Sequence, residues 1–299
     1  MQDEKAAIFE QHRGTLEGIA YRMLGTLDEA RDVVQDTYLK FDEVALDRLQ
    51  SPRAWLITVC SRLALNQLKS ARARREVYVG EWLPEPFPQP LRSDRDPVDR
   101  TELDETLSVA LLMVLEKLTP AERAAFLLHD VFDLSFDEVG RVLEKTSSGC
   151  RQLASRARKR VRDDKPRFRS SPTEHRQLLE GFFDAAREGD LHRFSTLLAD
   201  EVELYSDGGG KVSALPGVLR GAGDVAAFLV AVFAQYPRQG TPVSAASKWL
   251  NGSPGLLILE DGEPATAITL EVEEGRIHRI FAVRNPEKLG VFQRLNHPA

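Results

Sequence analysis

The sequence predicts a multidomain chain in which two all-α domains precede an α+β domain. Apolar residues recur at helical spacing through most of the first half, and a proline-rich stretch interrupts that pattern. The last third changes to short apolar runs separated by Gly-containing turns, which is typical of strands. At 299 residues the chain is long enough for two or three domains, each with its own core.

The composition is ordinary for a globular protein, with 42% hydrophobic and 29% charged residues. No apolar run approaches the roughly 18 residues that span a bilayer, and residues 1–5 lack a signal-peptide pattern, so we expect a cytoplasmic protein without a membrane partner. Cys60 and Cys150 fall on apolar faces of predicted helices, which indicates reduced core residues. No cluster of Cys and His has metal-ligand spacing, so the sequence predicts neither a metal nor a cofactor.

The first all-α domain contains a predicted helix from Asp28 to about Phe41. One side of this helix is apolar, and a second, acidic and polar stripe lies almost opposite. The second stripe consists of Asp32, Gln35, Asp36 and Leu39. It is either a docking face for a protein partner or a solvated face with one exposed leucine.

The next helix is predicted to begin at Ser51–Pro52, because serine caps a helix and proline suits its first position. One polar face of this helix carries Arg62, Asn66 and Lys69. That face leads into a basic cluster ending at Arg75, and locally basic patches attract phosphates.

A spacer is predicted between the helical domains, because alternating prolines favour an extended chain and exclude helix. Its segment Trp82-Leu83-Pro84-Glu85-Pro86 contains apolar residues that a solvated spacer does not need. These residues either pack locally or dock into a groove on another domain, and we expect the second.

The second all-α domain is predicted to contain a helix-turn-helix. Ser135 and Glu138 form a capping box that starts its first helix, and Thr146 can cap the second. The second helix has one narrow apolar face and presents polar and basic side chains elsewhere. Those side chains are Ser148, Arg151, Gln152, Ser155, Arg158, Lys159 and Arg162. Such a helix suits a DNA major groove, although an amphipathic hairpin with a solvated basic face has the same pattern.

Charge is distributed unevenly along the chain, whose net charge is −6. Residues 151–169 hold nine basic and two acidic side chains, whereas residues 171–299 carry a net charge of −5. Because a local basic patch is what attracts phosphate, the acidic total does not exclude nucleic acid. We expect the acidic parts to face something other than DNA.

Residues 171–299 are predicted to form the α+β domain. A capping box at Ser171 opens one helix, a short helix follows Gly189-Asp190, and a third spans about 223–233. Four strands separated by hairpin turns come next. They are Val243–Trp249, Gly255–Glu260, Pro264–Val272 and Arg276–Val283. Helices followed by an antiparallel meander imply a curved sheet wrapped on the helices.

Four short motifs occur in order within the first 165 residues. They are Asp32-Val33-Val34-Gln35-Asp36, Pro52-Arg53-Ala54-Trp55-Leu56 followed by Asn66, Leu118-Thr119-Pro120-Ala121-Glu122-Arg123, and Arg151-Gln152-Leu153-Ala154-Ser155-Arg156-Ala157-Arg158. Their order and spacing resemble regions two and four of the extracytoplasmic-function sigma factors. The resemblance implies region two in residues 1–76, a linker in 77–104 and region four in 105–165. Glu144 stands where that family often has glycine, which predicts a slight tilt of the recognition helix.

The resemblance implies a role for each ambiguous face. The stripe of Asp32, Gln35, Asp36 and Leu39 would dock on the clamp helices of core RNA polymerase. The loop Asp42–Gln50 would hold an extruded base of the minus-ten element of promoter DNA, and Arg62, Asn66 and Lys69 would contact its backbone and neighbouring bases. The helix from Ser147 to Arg160 would read the minus-thirty-five element. The side chains assigned to that reading are Ser148, Arg151, Gln152, Ser155, Arg158 and Lys159.

Two further motifs occur in the α+β domain, Asp207-Gly208-Gly209-Gly210-Lys211 and Asn285-Pro286-Glu287-Lys288-Leu289. With residues 82–86 they resemble the marks of sigma factors that carry a SnoaL-like cone domain. The glycine loop is not a phosphate-binding loop, since Tyr205 and Val212 stand where glycine and serine or threonine are required. We expect a regulatory intramolecular contact in which Trp82, Leu83 and Pro84 dock near residues 207–211 or 285–289.

Cone folds include cyclases and isomerases, so such an enzyme fused to a DNA-binding module is the alternative interpretation. A second alternative is a helix-turn-helix regulator that binds duplex DNA without polymerase. Catalysis would require a carboxylate and a histidine or tyrosine that converge on a pocket. The candidates are Asp207, Tyr205, His192 and His278, and each is expected to be a surface or turn residue. We therefore predict no catalytic residue.

Overall fold

A computed structural model describes residues 2–75, 77–88, 107–164, 171–235 and 242–296. The chain divides into two compact units. The helical unit comprises residues 1–77 and 111–165, and the sheet unit comprises residues 78–110 and 166–299. Most of the predicted linker therefore groups with the sheet. Its prolines Pro90 and Pro97 lie outside the described residues, among which no helix is long and apolar enough to cross a membrane.

The first part of the helical unit is built from three long helices, in which α1 packs against both of the others. They are α1 (Gln2–Leu24), α2 (Leu27–Asp42) and α3 (Pro52–Arg75), with a short 3-10 turn at Leu46–Arg48. The predicted apolar side of α2 is confirmed, since Val33, Val34 and Phe41 are all buried. The predicted cap of α3 is also confirmed, because the Ser51 Oγ accepts a hydrogen bond from the Ala54 N–H at 3.2 Å.

The second part of the helical unit contains the predicted helix-turn-helix. Its elements are α4 (Val109–Glu116), α5 (Pro120–Phe126), a π-helical turn (Leu127–Val131), α6 (Phe136–Leu143) and α7 (Ser147–Asp164). The capping box of Ser135 and Glu138 starts α6 as predicted, and the Thr146 Oγ1 accepts from the Gly149 N–H at 3.2 Å. Cys150, Leu153, Ala154, Ala157 and Val161 are buried, which confirms the narrow apolar face of α7. Both cysteines of the chain are buried free thiols.

The turn between α6 and α7 is tight. Glu144 caps α6 in the left-handed region, with φ of 54°. A Cβ placed on Gly140 would lie 2.7 Å from the Lys145 carbonyl oxygen, so this close approach of the backbone requires glycine. The family's usual glycine is absent at Glu144, and a left-handed glutamate takes its place.

In the described residues of the sheet unit, four helices accompany one six-stranded sheet. The helices are α8 (Pro172–Glu188), α9 (Leu191–Leu197), α10 (Ala222–Phe233) and α11 (Pro286–Asn296). The strands are β1 (Leu198–Asp207), β2 (Leu219–Arg220), β3 (Val243–Leu250), β4 (Ser253–Glu260), β5 (Glu263–Glu273) and β6 (Arg276–Val283). The strand order is β2-β1-β6-β5-β4-β3, and the capping box at Ser171 is present as predicted.

The antiparallel meander predicted for β3 to β6 is confirmed, but the sequence analysis missed β1, β2 and α11. β1 pairs in parallel with β6, so the sheet is mixed. Acidic residues at Glu201 and Glu203 interrupt the apolar signal of β1, which hides this strand from a pattern search. The pairing of β1 with β6 places Asp207 opposite Val283, next to the start of α11.

The core of the sheet unit lies between one face of the sheet and helices α8, α9 and α10. Its aromatic centre is the pair Phe182 and Phe194, whose ring centroids are 5.0 Å apart. Side chains that alternate along the strands, including Leu204, Ile258 and Ile280, point into this core. On the sheet α11 packs against β5.

Candidate functional sites

The predicted polymerase-docking stripe is a continuous exposed face of α2. Asp32, Gln35, Asp36 and Leu39 are all exposed, and Leu39 is 54% accessible to solvent. The opposite face of α2 is buried against the core. The helix thus keeps one apolar face for folding and a second face, acidic with one leucine, on the surface.

The predicted minus-ten residues Arg62, Asn66 and Lys69 are exposed along α3. Arg62 is already engaged, because its Nη2 donates a hydrogen bond to the Arg141 carbonyl oxygen in α6 at 2.5 Å. This bond joins helices from the two parts of the helical unit, and α3 also packs against α5 and α6. No local sequence pattern predicts this contact between residues far apart in the chain.

A partly buried arginine–glutamate clamp also connects the two parts of the helical unit. The carboxylate of Glu116 forms ion pairs with both Arg75 and Arg123. The Arg123 Nε donates to the Arg22 carbonyl oxygen at 3.1 Å, and the Arg75 guanidinium donates to that of Leu24. These carbonyls belong to the last turn of α1, where cations are favoured by the helix dipole. Burial raises the pKa of Glu116, but the two arginines outweigh it and lower this pKa.

The α7 side chains that are predicted to contact DNA differ in their surroundings. Ser148, Arg151, Gln152, Ser155 and Lys159 are exposed, as a reading face requires. Arg158, also predicted to contact DNA, forms an ion pair with Asp130 of the π-helical turn at 2.7 Å. The neighbouring arginines Arg156 and Arg160 pair with buried Glu122 at 2.8 and 2.9 Å, so they support the packing of α7 on α5.

Asp207 is the centre of a polar cluster in the sheet unit, and its prediction as a surface or turn residue was wrong. The carboxylate is fully buried. Its Oδ1 accepts from the Tyr78 hydroxyl at 2.7 Å and from the Gly209 N–H at 3.0 Å. Its Oδ2 accepts from the Leu83 N–H at 2.9 Å and from the Lys288 Nζ at 2.6 Å. Two of these four donors come from the predicted linker.

Lys288 supplies the positive charge of this cluster. Its side chain is 8% exposed, and its Nζ also donates to the Leu83 carbonyl oxygen at 2.5 Å. The same Nζ lies 4.5 Å from the ring centroid of Trp82 and 5.0 Å from that of Tyr78, within cation–π range. Burial raises the pKa of Tyr78, and the hydrogen bond to Asp207 raises it further. Sequence reasoning quoted Lys288 within a motif but did not single it out.

Asn285 ties the glycine loop to the start of α11. Its Nδ2 donates to the Tyr78 hydroxyl at 2.8 Å, and its Oδ1 accepts from the Glu287 N–H at 3.0 Å. Its own N–H donates to the Asp207 carbonyl oxygen at 2.9 Å. A Cβ on Gly209, where φ is +60°, would lie 2.3 Å from the Asn285 Nδ2, so this position requires glycine.

The remaining motif residues lie at the edge of this cluster. Pro286 is exposed at the first position of α11, and Lys211 forms an exposed ion pair with Glu287. Gly208 is buried and Gly210 is exposed, while Pro84 of the linker is buried. We call the central group the linker clasp; it consists of Tyr78, Trp82, Leu83, Asp207, Asn285 and Lys288.

A second set of contacts fixes the linker to the turn between β3 and β4. Asn251 is buried in the left-handed region, with φ of 50°. Its Oδ1 accepts from the Phe87 N–H at 3.0 Å, and its N–H donates to the Phe87 carbonyl oxygen at 2.9 Å. Its Nδ2 donates to the Leu107 carbonyl oxygen at 3.2 Å, and Pro88 pairs with Leu250. The sequence predicts a hairpin turn at Asn251 but not its hydrogen bonds to Phe87 and Leu107.

The structure does not bring the candidate catalytic residues together. The Asp207 carboxylate is occupied by the donors of the clasp, whereas the Tyr205 hydroxyl donates to Glu203 at 2.7 Å. Burial, assisted by Glu203, raises the pKa of Tyr205 to about 12. His192 is exposed and His278 is half-buried. Within the described residues, no group of three or more His, Cys, Asp and Glu side chains could hold a metal ion.

Comparisons with known proteins identify two sigma-factor regions in this chain. The sigma-70 region 2 family matches residues 8–74, and sigma-70, region 4 matches residues 108–161. The ECF RNA polymerase sigma factor SigJ of Mycobacterium tuberculosis is 36% identical over 296 residues, which cover 94% of this chain and 91% of SigJ. The probable ECF RNA polymerase sigma factor SigI of that organism is 31% identical over 290 residues, with 96% and 95% covered.

The crystal structure of SigJ matches 95% of this chain and 98% of its own, with a TM-score of 0.76 at 32% identity. The match extends through both the helical regions and the sheet-containing domain. The chain therefore belongs to the extracytoplasmic-function RNA polymerase sigma factors, with sigma-70 regions two and four followed by a C-terminal SnoaL-like domain.

Proposed function

We propose that this sigma factor, which recruits core RNA polymerase to promoters and initiates transcription, is regulated by its own SnoaL-like domain through the linker clasp. The observation that carries the proposal is the buried carboxylate of Asp207, which binds the Leu83 N–H, the Tyr78 hydroxyl and Lys288 at once. The protein acts in the cytoplasm by binding alone, without covalent chemistry of its own.

Polymerase docking is assigned to the exposed stripe of α2. An acidic face that contains one exposed leucine suits a basic and partly apolar protein surface. Its residues are Asp32, Gln35, Asp36 and Leu39. The side chains lie opposite the buried face of α2, so they can be changed without disturbing the core.

We expect the double charge reversal Asp32→Lys and Asp36→Lys to abolish binding of core polymerase while leaving the melting temperature unchanged. The reversal replaces complementary charges with like charges at the interface. Fluorescence anisotropy with purified core polymerase measures the binding. The matched control reverses two other exposed acids of the helical unit, Asp3→Lys and Glu4→Lys. Normal binding by the Asp32/Asp36 variant, or its unfolding, would remove the docking assignment.

Promoter reading is assigned to α3 and α7. Arg62, Asn66 and Lys69, with the loop Asp42–Gln50, contact the minus-ten element. The exposed side chains of α7 read the minus-thirty-five element; they are Ser148, Arg151, Gln152, Ser155 and Lys159, joined by Arg158. One of these side chains, Arg62, is already hydrogen-bonded to the Arg141 carbonyl oxygen. We infer that this bond breaks when promoter DNA binds, so regions two and four change their arrangement.

We infer that the SnoaL-like domain influences the arrangement of regions two and four through the linker. It joins region two to region four, and Asp207 and Lys288 hold it by its backbone at Leu83. Asn251 holds it again at Phe87, and the same side chain binds the Leu107 carbonyl oxygen just beyond the linker. Because a tethered contact acts at high effective concentration, even modest hydrogen bonds can keep the linker bound. A bound linker restrains the two regions, and its release frees them.

The test is transcription in vitro with core polymerase and a cognate promoter. We compare the full-length protein with a chain ended after residue 168, a chain ended before Asn285, and Trp82→Ala. We expect transcription to rise in all three, most in the shortest chain, and a tenfold rise corresponds to about 1.4 kcal/mol of released restraint. Val77→Ala is the control, because its side chain is 81% exposed. Equal activity of all the proteins would contradict the regulation and favour an enzymatic role for the domain.

A further inference from the structure

Three side chains form a stack beneath the predicted reading face of α7. The Arg151 guanidinium lies 5.4 Å from the ring centroid of Phe136, the first residue of α6. The ring of Phe136 lies in turn 3.8 Å from that of His129, with 30° between the planes. The His129 Nδ1 is 2.7 Å from the Leu134 carbonyl oxygen, which fixes the orientation of the imidazole. We call His129, Phe136 and Arg151 the recognition stack.

An exposed arginine ordinarily samples many rotamers, and ordering it costs free energy on binding. A guanidinium that lies on an aromatic ring is held in a plane before any ligand arrives. Recognition of guanine requires a planar fork that meets O6 and N7 of the base together. The ring of Phe136 therefore supplies the preorganisation that base reading by Arg151 needs.

The base of the stack belongs to an unusual element. His129 and Asp130 both lie in the π-helical turn that follows α5. Asp130 binds Arg158 directly at 2.7 Å, while His129 reaches Arg151 through Phe136. One turn thus supports two arginines of α7 by two different contacts, and π-helical turns occur frequently at functional sites.

We propose that Phe136 is a positioning residue for base recognition, which orients Arg151 in the major groove and is itself backed by His129. The proposal rests on the proposed reading of the minus-thirty-five element by Arg151. Phe136 is half-buried rather than part of the core, and its ring contacts two planar groups, the Arg151 guanidinium and the His129 imidazole, so it does more than fill space.

The experiment uses full-length protein in complex with core polymerase and a duplex library randomised across both promoter elements. Sequencing of the bound DNA gives the base preference at each position. The variants are Arg151→Ala, Phe136→Leu, Phe136→Met, Phe136→Tyr and the double variant Phe136→Leu with Arg151→Ala. Melting temperatures are measured for each. Leucine and methionine keep apolar bulk without a ring, whereas tyrosine keeps the ring.

We expect Arg151→Ala to abolish the preference for guanine at one or two upstream positions. Phe136→Leu and Phe136→Met should weaken preference at those same positions by about three- to tenfold and leave all others unchanged. Phe136→Tyr should keep the wild-type preference. In the double variant the loss of Phe136 should add nothing, because its effect passes through Arg151.

A uniform loss at all positions, or an additive effect in the double variant, would overturn the stack and leave Phe136 a structural residue. Unchanged preference in both Phe136→Leu and Phe136→Met, with preference lost in Arg151→Ala, would likewise overturn the stack alone. An Arg151→Ala variant with wild-type preference would overturn both the stack and the assigned reading face.

Discussion

The helical unit and the sheet unit place their functional charges in opposite environments. On α7, Arg151 and Lys159 lie in solvent, where a partner can reach them. In the sheet unit, Asp207 and Lys288 are buried, with side chains 0% and 8% exposed. Exposed ion pairs contribute about 0–1 kcal/mol, whereas breaking a buried pair costs about 3–5 kcal/mol. Arg151 and Lys159 are therefore available for binding, whereas the buried charges of the clasp hold the linker.

The helical unit also contains charged side chains that hold its own segments together. Arg123 is 1% exposed and is neutralised by Glu116, and both connect α4 and α5 to α1 and α3. The clasp and this clamp share a design in which one carboxylate serves several donors from distant segments. The clamp of Glu116 connects the two sigma regions within the helical unit. The clasp of Asp207 connects the linker to the SnoaL-like domain within the sheet unit.

The largest effect is expected at the buried pair of the clasp. Lys288→Met leaves the Asp207 charge buried without a cation, so the free energy of unfolding of the sheet unit should fall by about 3–5 kcal/mol. Urea unfolding followed by circular dichroism measures this loss. Adding Asp207→Asn to the same chain should recover part of it, because the uncompensated charge is removed.

Lys211→Met is the matched control for Lys288→Met. Lys211 pairs with Glu287, but its side chain is 47% exposed, so the loss should stay below about 1 kcal/mol. A similar cost for the two lysine variants would show that the environment of Asp207 resembles the surface. That result would contradict the inference that the buried charges of the clasp contribute more to stability than exposed charges do.

An intermediate effect is expected at Glu122, where a buried carboxylate meets arginines that are half in solvent. Burial raises the pKa of Glu122, but hydrogen bonds from Arg156 and Thr119 and the charge of Arg160 outweigh it and lower the pKa from 4.5 to about 2. The lowered value means that Glu122 stabilises the folded state above pH 4.5. This contribution decreases as the pH falls toward 2.

Glu122→Gln should therefore lower the free energy of unfolding at pH 7 by about 1–2 kcal/mol, reduced from the full shift because Arg156 and Arg160 are exposed. The difference from wild type should shrink between pH 4.5 and pH 2, as urea unfolding at several pH values measures. Glu138→Gln is the control, since Glu138 completes the capping box of Ser135 in α6 as Glu122 completes that of Thr119 in α5, but Glu138 forms no ion pair with Arg156 or Arg160. A difference that stays constant with pH would contradict the assigned ion pairs.

The sequence predicted the local features of both units and missed the contacts between distant segments. Capping boxes at Ser135 and Ser171, the buried stripe of α7 and strands β3 to β6 follow from patterns within a few residues. In the clasp, Asp207 is bound by Lys288, which is 81 positions away in the chain, and by Tyr78, which is 129 positions away. The bond from Arg62 joins two residues that are 79 positions apart. Such contacts depend on tertiary pairing, which no local pattern encodes.

Lys288 illustrates this limit at a single residue. In the sequence it is one residue of the motif 285–289, near which the linker is predicted to dock, and lysine is almost never fully buried unless it is paired. Its partner Asp207 comes close only because β1 pairs in parallel with β6, and β1 was not predicted. Trp82 marks its segment for docking because a tryptophan is unusual in a proline-rich spacer, whereas nothing in the sequence distinguishes Tyr78.

Each unit has a residue other than glycine whose backbone lies in the left-handed region, and the surroundings of the two side chains differ. Glu144 in the helical unit has φ of 54° and an exposed side chain. Asn251 in the sheet unit has φ of 50°, but its buried side chain binds Phe87 and Leu107. Residues with a Cβ are strained in this region, so glycine relieves the backbone at both positions.

The smallest effect is expected from Glu144→Gly, which should raise the free energy of unfolding of the helical unit by about 0.5–1 kcal/mol. Glu144→Ala removes the same side chain but keeps the Cβ, so it should give no such gain. Asn251→Gly should instead lower the stability of the sheet unit by about 1 kcal/mol, because the side-chain hydrogen bonds to Phe87 and Leu107 are lost with the amide. Thermal unfolding measures all three variants. A gain at both glycine variants would mean that Asn251 contributes only backbone geometry, and the linker would then depend on the clasp of Asp207 and Lys288 alone.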